Sequence, residues 1–173
     1  MKKLLIVVDY QKDFVDGSLG FEKAKLLDDH ISSLIEEYHD HNDEVIFTFD
    51  THFENYLSTQ EGQNLPIVHC IENSEGWQLY GKASTQKQKQ DQCFNKNTFG
   101  SLELGNYLQN RSYESITLVG VVSHICVISN AIICKAALPE VQIFIDTQGI
   151  AGSDPDLHQK SLDILENLQC YLI

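Results

Sequence analysis

The sequence predicts an α/β fold, a three-layer sandwich in which a parallel sheet is covered by helices on both faces. Short β-rich apolar runs alternate along the chain with longer amphipathic stretches, the rhythm of strands joined by helical crossovers. The first of these runs, Leu4-Leu5-Ile6-Val7-Val8, is continuously apolar, as expected of a strand buried on both faces. The chain has 173 residues, 42% of them hydrophobic, which suits one domain over 1–173 with a sizeable core.

Leu4 to Val8 forms the first predicted strand. Met1-Lys2-Lys3 ahead of it imitates a signal peptide, but Asp9 cuts the apolar stretch short and no small-residue cleavage site follows. Ala24 to Tyr38 reads as a helix, with Leu26, Leu27, Ile31, Leu34 and Ile35 on one face. Val45 to Phe49 follows as the second strand. Residues 51–90 are rich in Asn, Gln, Ser, Thr and Glu and read as loop, apart from a short helix at Trp77 to Lys82. So long a loop in a compact domain is usually functional or disordered. A third strand is predicted at Gln92 to Asn95, a helix at Leu102 to Gln109 and a fourth strand at Ser115 to Val121. A helix from about Ile125 to Ala137, a strand at Val141 to Asp146, a helix at Asp156 to Asn167 and a last strand at Cys170 to Ile173 complete the chain. No repeat, low-complexity tract or linker interrupts it.

Composition narrows the partners. Lys and Arg number 12 against 25 Asp and Glu, a formal charge of −13, so a nucleic-acid backbone or an anionic membrane surface is repelled at long range. No apolar run approaches the roughly 18 to 20 residues that span a bilayer. Five cysteines, at 70, 93, 126, 134 and 170, form no CxxC pair and suit a reducing compartment, hence the cytoplasm. No GxGxxG or GxxxxGK[ST] run offers a phosphate loop. A small-molecule substrate is the expectation.

In open α/β sheets ligands bind beyond the carboxyl ends of the strands. Four features fall there: Asp9, the Asp50/His52 pair, Lys96 and Cys126. Cys126 sits at a strand-to-helix turn, where free N–H groups and the helix dipole favour a thiolate and can hold an oxyanion. The plain alternative is a small buried hydrophobe. Asp9 emerges from an apolar strand, where burial can raise its pKa and suit it as a general base, or it simply caps the turn. Lys96 can hold Asp9 charged and lower the thiol pKa, or be a solvated surface lysine. Asp50 and His52, two apart on extended chain, point to the same side, and the loop beyond supplies Glu61 and His69. This set suits a Zn, Mn or Fe ion with places left for water, or else an acidic loop with exposed histidines. His30, His39, His41 and His158 fall beside polar helix faces and are expected to be solvated, while Cys93, Cys134 and Cys170 are expected in the core.

Together the segments resemble the isochorismatase-like cysteine hydrolase family, whose best known members are nicotinamidases. Asp9-Tyr10-Gln11-Lys12-Asp13-Phe14 resembles its opening DxQxDF, Lys96 its lysine segment, and Gly120 to Val127 its G-x-x-[ST]-x-x-C-V segment. The resemblance implies a six-stranded parallel sheet, an Asp9, Lys96, Cys126 triad and a cis peptide between Val121 and Val122. It implies oxyanion donors at the N–H groups of Val122 and Cys126, and a divalent metal, zinc ahead of Mn or Fe, on Asp50, His52 and His69, with Glu61 as an extra ligand. The activity implied is hydrolysis of a small amide to a carboxylic acid and ammonia through a thioester, by a homo-oligomer. One departure concerns the substrate. Nicotinamidases carry an aromatic ring wall before Pro-Pro-His-Cys, whereas this chain reads Leu65-Pro66-Ile67-Val68-His69-Cys70. Phe14 and Trp77 remain as candidate ring contacts beside the aliphatic Leu65. Another small amide or ureide, or a non-catalytic small-molecule-binding protein on the same scaffold, are the alternatives.

Overall fold

The computed structural model describes residues 1–173. Six parallel strands form one sheet in the order β3-β2-β1-β4-β5-β6. They are β1 (Leu4–Val8), β2 (Glu44–Asp50), β3 (Gln92–Lys96), β4 (Ser115–Val121), β5 (Gln142–Ala151) and β6 (Tyr171–Leu172). Eight α-helical segments connect and cover them: α1 (Lys12–Val15), α2 (Glu22–Lys25), α3 (Asp28–Asp40), α4 (Gln60–Asn64), α5 (Gly81–Gln86), α6 (Leu102–Leu108), α7 (Ile128–Ala137) and α8 (Pro155–Asn167).

The two-residue period of β1 explains why a continuous apolar run was needed. Leu4, Ile6 and Val8 join the core beneath α6, α7 and α8, while Leu5 and Val7 join the core beneath α3 and α5. Val8 pairs with Thr48 on one side and Gly120 on the other. Gly120 has φ 114°, and a side chain there would strike the Val8 carbonyl oxygen, so only glycine lets β4 approach β1 this closely.

Several predicted elements shift. The helix expected over 24–38 is two, α2 and α3, and Leu26 between them is 79% exposed instead of lying on the buried face. Asp28 and Asp29 mark the true start: they put negative charge on the first turn of α3, and the Asp28 carboxylate ties it to α5 by accepting from the Lys82 and Ala83 N–H groups. The helix expected at 77–82 forms at 81–86, and residues 51–90 also hold a 3-10 turn at Tyr56–Ser58 and α4. A π-helical turn, Ser123–Val127, precedes α7. The strand expected to end at Asp146 continues to Ala151 through a register shift opposite Leu118 and Gly120, where Asp146 accepts from the Gln148 and Gly149 N–H groups.

Cys93 is exposed rather than part of the core, because β3 is an edge strand. Of the histidines expected to be solvated only His41 is exposed, and its ring bonds back to the Glu37 carbonyl. His30 pairs with Asp146 at 2.9 Å, His39 with Asp91 at 3.0 Å, and His158 with Ser123 Oγ at 2.8 Å. No helix is long and apolar enough to cross a membrane.

Candidate active site

The chain leaves β1 for β2 and β3 on one side, then returns to build β4, β5 and β6 on the other, so the strand order reverses between β1 and β4. Ligands of open α/β sheets bind in the crevice at that reversal. The four strands around it, in spatial order β3, β2, β1, β4, end at or run directly into Lys96, Asp50, Asp9 and the turn bearing Cys126.

Asp9 is fully buried and turns the chain at φ 46°. Its N–H donates to the Thr48 carbonyl at 3.2 Å, and its Oδ1 accepts from the Thr48 hydroxyl at 2.6 Å. Its Oδ2 meets Lys96 Nζ at 2.5 Å. Burial pushes Asp9 above the usual carboxylate range; Lys96 pulls against that and Asp50 adds to it. Lys96 is 6% exposed, donates to the Thr98 carbonyl at 3.0 Å, and stands 3.6 Å from Asp50 Oδ1 and 3.8 Å from Cys126 Sγ. Burial opposes its charge, but the negative groups around it prevail and hold it protonated above the ordinary lysine value.

Cys126 lies in the π-helical turn and is 5% exposed. Against the expected pull toward a thiolate, burial, reinforced by Asp9 and Asp50, outweighs Lys96 and pushes the thiol above its ordinary value. The carboxylate that hydrogen-bonds to it is Asp9. The Val121–Val122 peptide is cis. The Val122 N–H donates to no group within the protein, whereas its carbonyl accepts from the Ile125 and Val127 N–H groups and so closes the turn.

Asp50, His52, Glu61 and His69 bring four ligand atoms within 4.8 Å of one another. Asp50 Oδ2 lies 3.0 Å from His52 Nε2 and 3.3 Å from His69 Nε2; Glu61 Oε1 lies 3.7 and 3.8 Å from the same nitrogens. His69 Nδ1 donates to the Ile67 carbonyl at 2.7 Å, which fixes the ring with Nε2 turned toward the carboxylates. Burial and the neighbouring Asp50 raise Glu61, while His52, His69 and Lys96 hold Asp50 below the usual range against burial. Two carboxylates and two imidazoles converging at this depth fit a small divalent cation, in the hard-to-borderline donor class of zinc, manganese and iron.

The three expected substrate contacts separate. Phe14 packs on His69, ring centroids 5.5 Å apart, and so borders the cluster. Leu65 closes α4, and its carbonyl accepts from the Tyr56 hydroxyl at 2.8 Å. Trp77 packs on Phe49 at 5.1 Å, donates to Thr51 Oγ1, and lines a cavity of about 440 Å³ with Phe49, Leu79 and Cys93. The cavity beside Lys96, of about 360 Å³, and the one on His52 and Glu61, of about 370 Å³, share Thr51, Phe53, Asn97 and Thr98 and do not include Trp77.

Sequence reasoning missed the residues that hold these groups in place. The Gln11 side chain is fully buried, donating to the Asp50 and Trp77 carbonyls and accepting from the Asp50 N–H, at 2.8 to 2.9 Å. Asp13 accepts from the Cys70 N–H at 2.7 Å, next to His69. Both lie in the Asp9–Phe14 segment, so the signal was present without a role attached. Thr48 and Tyr56 carried none.

A family model described as the isochorismatase domain matches residues 3–173. The chain belongs to the isochorismatase family. A curated relative, the uncharacterized isochorismatase family protein PncA of Bacillus subtilis (strain 168), is 30% identical over 178 residues, 96% of each chain. The solved pyrazinamidase/nicotinamidase of Streptococcus mutans superposes with a TM-score of 0.88 at 27% identity, over 99% of this chain and 100% of that one. The nicotinamidase/pyrazinamidase PncA of Bacillus subtilis does so with a TM-score of 0.87 at 28% identity, over 99% of both. The six-stranded parallel sheet flanked by helices is thus the isochorismatase-family fold, as the sequence predicted.

Proposed function

We propose that this isochorismatase-family chain is, over 1–173, a cysteine amidohydrolase that converts a small non-peptide amide to a carboxylic acid and ammonia. The observation that carries the proposal is the meeting of three groups far apart in sequence: Asp9 Oδ2, Lys96 Nζ and Cys126 Sγ, linked by contacts of 2.5 and 3.8 Å. The amide-hydrolysing relatives support the substrate class.

In this mechanism Asp9 takes the thiol proton as Cys126 Sγ attacks the amide carbonyl carbon. The raised pKa of Asp9 suits it to accept that proton and give it back. The tetrahedral oxyanion is held by the N–H groups of Val122 and Cys126, with the Lys96 charge nearby. Asp9 then gives that proton to the amide nitrogen as the C–N bond breaks, so ammonia departs and a thioester is left on Cys126. Water attacks the thioester with Asp9 again as base, the carboxylic acid leaves and the thiol is restored.

Asp50, His52, Glu61 and His69 would hold a divalent ion, zinc first, which supplies a Lewis acid to a substrate lone pair or to water. Phe14 gives one apolar contact beside that ion, and by the resemblance Leu65 stands, as an aliphatic residue, where nicotinamidases carry their ring wall. Leu65 favours a substrate range wider than flat aromatic amides, so nicotinamide is one member of the class. In this reading the enzyme works in the cytoplasm, consistent with its five free cysteines, and as a homo-oligomer.

The test is ammonia release from a panel of primary amides and ureides, including nicotinamide and pyrazinamide, with and without added zinc. Release from at least one, abolished in Cys126→Ala, is expected. No release from any would favour a binding protein instead.

A further inference from the structure

We infer that Tyr56 is the positioning residue that sets the divalent-ion cluster and the Leu65 segment as one unit. It belongs to no motif and touches neither the thiol nor its base. It is 1% exposed, and its ring lies 4.7 Å from the His52 ring at 59° and 4.9 Å from the His69 ring at 75°. Those two imidazoles meet each other at 4.8 Å and 74°, the attitude that turns both Nε2 atoms on Asp50. With Tyr56 packed against both, neither imidazole can rotate away without displacing a buried aromatic side chain.

The rest of Tyr56 is equally committed. Its hydroxyl donates to the Leu65 carbonyl at 2.8 Å. Its carbonyl accepts from the Thr59 hydroxyl at 2.7 Å and the Thr59 N–H at 2.9 Å. Thr59 Oγ1 in turn caps α4 by accepting from the Gly62 N–H at 3.0 Å. A side chain at Gly62 would collide with the Tyr56 carbonyl, so α4 lies directly on the Tyr56 backbone and Glu61 is placed by that contact. Ring, backbone and hydroxyl thus reach His52 and His69, Glu61, and Leu65 respectively. Asp50, the remaining donor, is held separately by Gln11.

The inference rests on the divalent-ion reading for the ring and on the amide reading for the hydroxyl, and two kinds of variant separate them. Zinc affinity of the purified apo-protein is measured by competition with a chelating indicator, alongside kcat and KM for an amide that the panel shows to be turned over. Tyr56→Leu should weaken zinc about 10- to 100-fold, the range found when groups that orient metal ligands are removed. Tyr56→Met is measured beside it, so the zinc measurement survives if the leucine variant fails to fold. Tyr56→Phe keeps the ring: zinc affinity should stay within about threefold of wild type while KM rises several-fold at nearly constant kcat, as expected when a binding wall loosens.

Wild-type zinc affinity in both ring-deleted variants, with only a lower melting temperature, would reduce Tyr56 to a packing residue and overturn the inference alone. A wild-type protein that takes up no zinc overturns the divalent-ion reading and the inference with it. An unchanged KM in Tyr56→Phe overturns the link to Leu65.

Discussion

The hydroxyl of Thr48 donates to Asp9 Oδ1 at 2.6 Å, leaving Oδ2 as the carboxylate oxygen that faces Lys96. One hydroxyl on β2 therefore sets which oxygen of the proposed base is turned toward Lys96. Thr48→Val, nearly isosteric, should lower kcat about tenfold with little change in KM, the effect of losing one charge-assisted hydrogen bond of about 1.5 kcal/mol. Thr48→Ser should recover most of the rate. Equal rates in the valine and serine variants, measured by ammonia release, would remove the hydroxyl from the mechanism.

Cys126 contributes one small sulfur to the core beneath α7, so its loss should cost little stability and nearly all turnover. Cys126→Ala is expected to melt within about 2 to 4 °C of wild type for each kcal/mol lost. Asp9→Asn keeps the shape and removes the base, so the rate should fall by about 10² to 10⁴. It also leaves the buried Lys96 with Asp50, 3.6 Å away, as its nearest counter-charge, and a measurable loss of stability should accompany the loss of rate. Calorimetry run beside the kinetics keeps the two effects apart.

Saturating zinc should raise the melting temperature of chelator-treated protein, because only the folded chain gathers the four donors. At a free concentration 100 times Kd the gain is about 2.7 kcal/mol. Asp50→Asn should remove most of this gain. Glu61→Gln should remove less, because Glu61 stands farther from the two imidazoles than Asp50 does. A zinc-independent melting curve would count against the donor set.

Cys134 gives a test by proton linkage away from the catalytic groups. Burial raises its thiol to about 12 from the ordinary 9.0. The folded chain then keeps a proton that the unfolded chain gives up, so the associated stability is fully present below pH 9 and is lost as pH rises toward 12. The slope for one thiol reaches about 1.4 kcal/mol per pH unit. Urea unfolding of Cys134→Ala should show a shallower decline over this window, whatever its constant loss from packing.

Most of the architecture was legible because β1 and the amphipathic helices advertise burial through their periodicity. What misled was local competition. The apolar stripe from Leu26 to Ile35 outweighed the start signal of Asp28 and Asp29, so two helices read as one. At the site, Asp9, Asp50, His52, Lys96 and Cys126 stood out because chemistry-bearing residues at strand ends are unusual neighbours for apolar runs. Glu61 and His69 joined them as further donors supplied by the loop beyond β2, although the irregular spacing left exposed loop histidines as the alternative. Trp77 was expected as a ring contact for the substrate, yet its indole N–H has a partner in Thr51 that fixes it beside Phe49. Gln11 lay in a recognised segment with no role attached, and Thr48 and Tyr56 were invisible in advance, since their importance lies in hydrogen bonds and ring contacts that exist only once the strands are side by side.

The order of the strands also ranks the proposed catalytic groups by how firmly they are anchored. Asp9 and Cys126 follow β1 and β4, each flanked by strands on both sides, whereas Lys96 ends β3, which has β2 as its sole neighbour. A sheet frays from its margin inward, so mild denaturant would detach the ammonium first. Catalysis would then fade before the sulfur met solvent, and an enzyme silenced this way would recover simply by re-zipping its outermost strand.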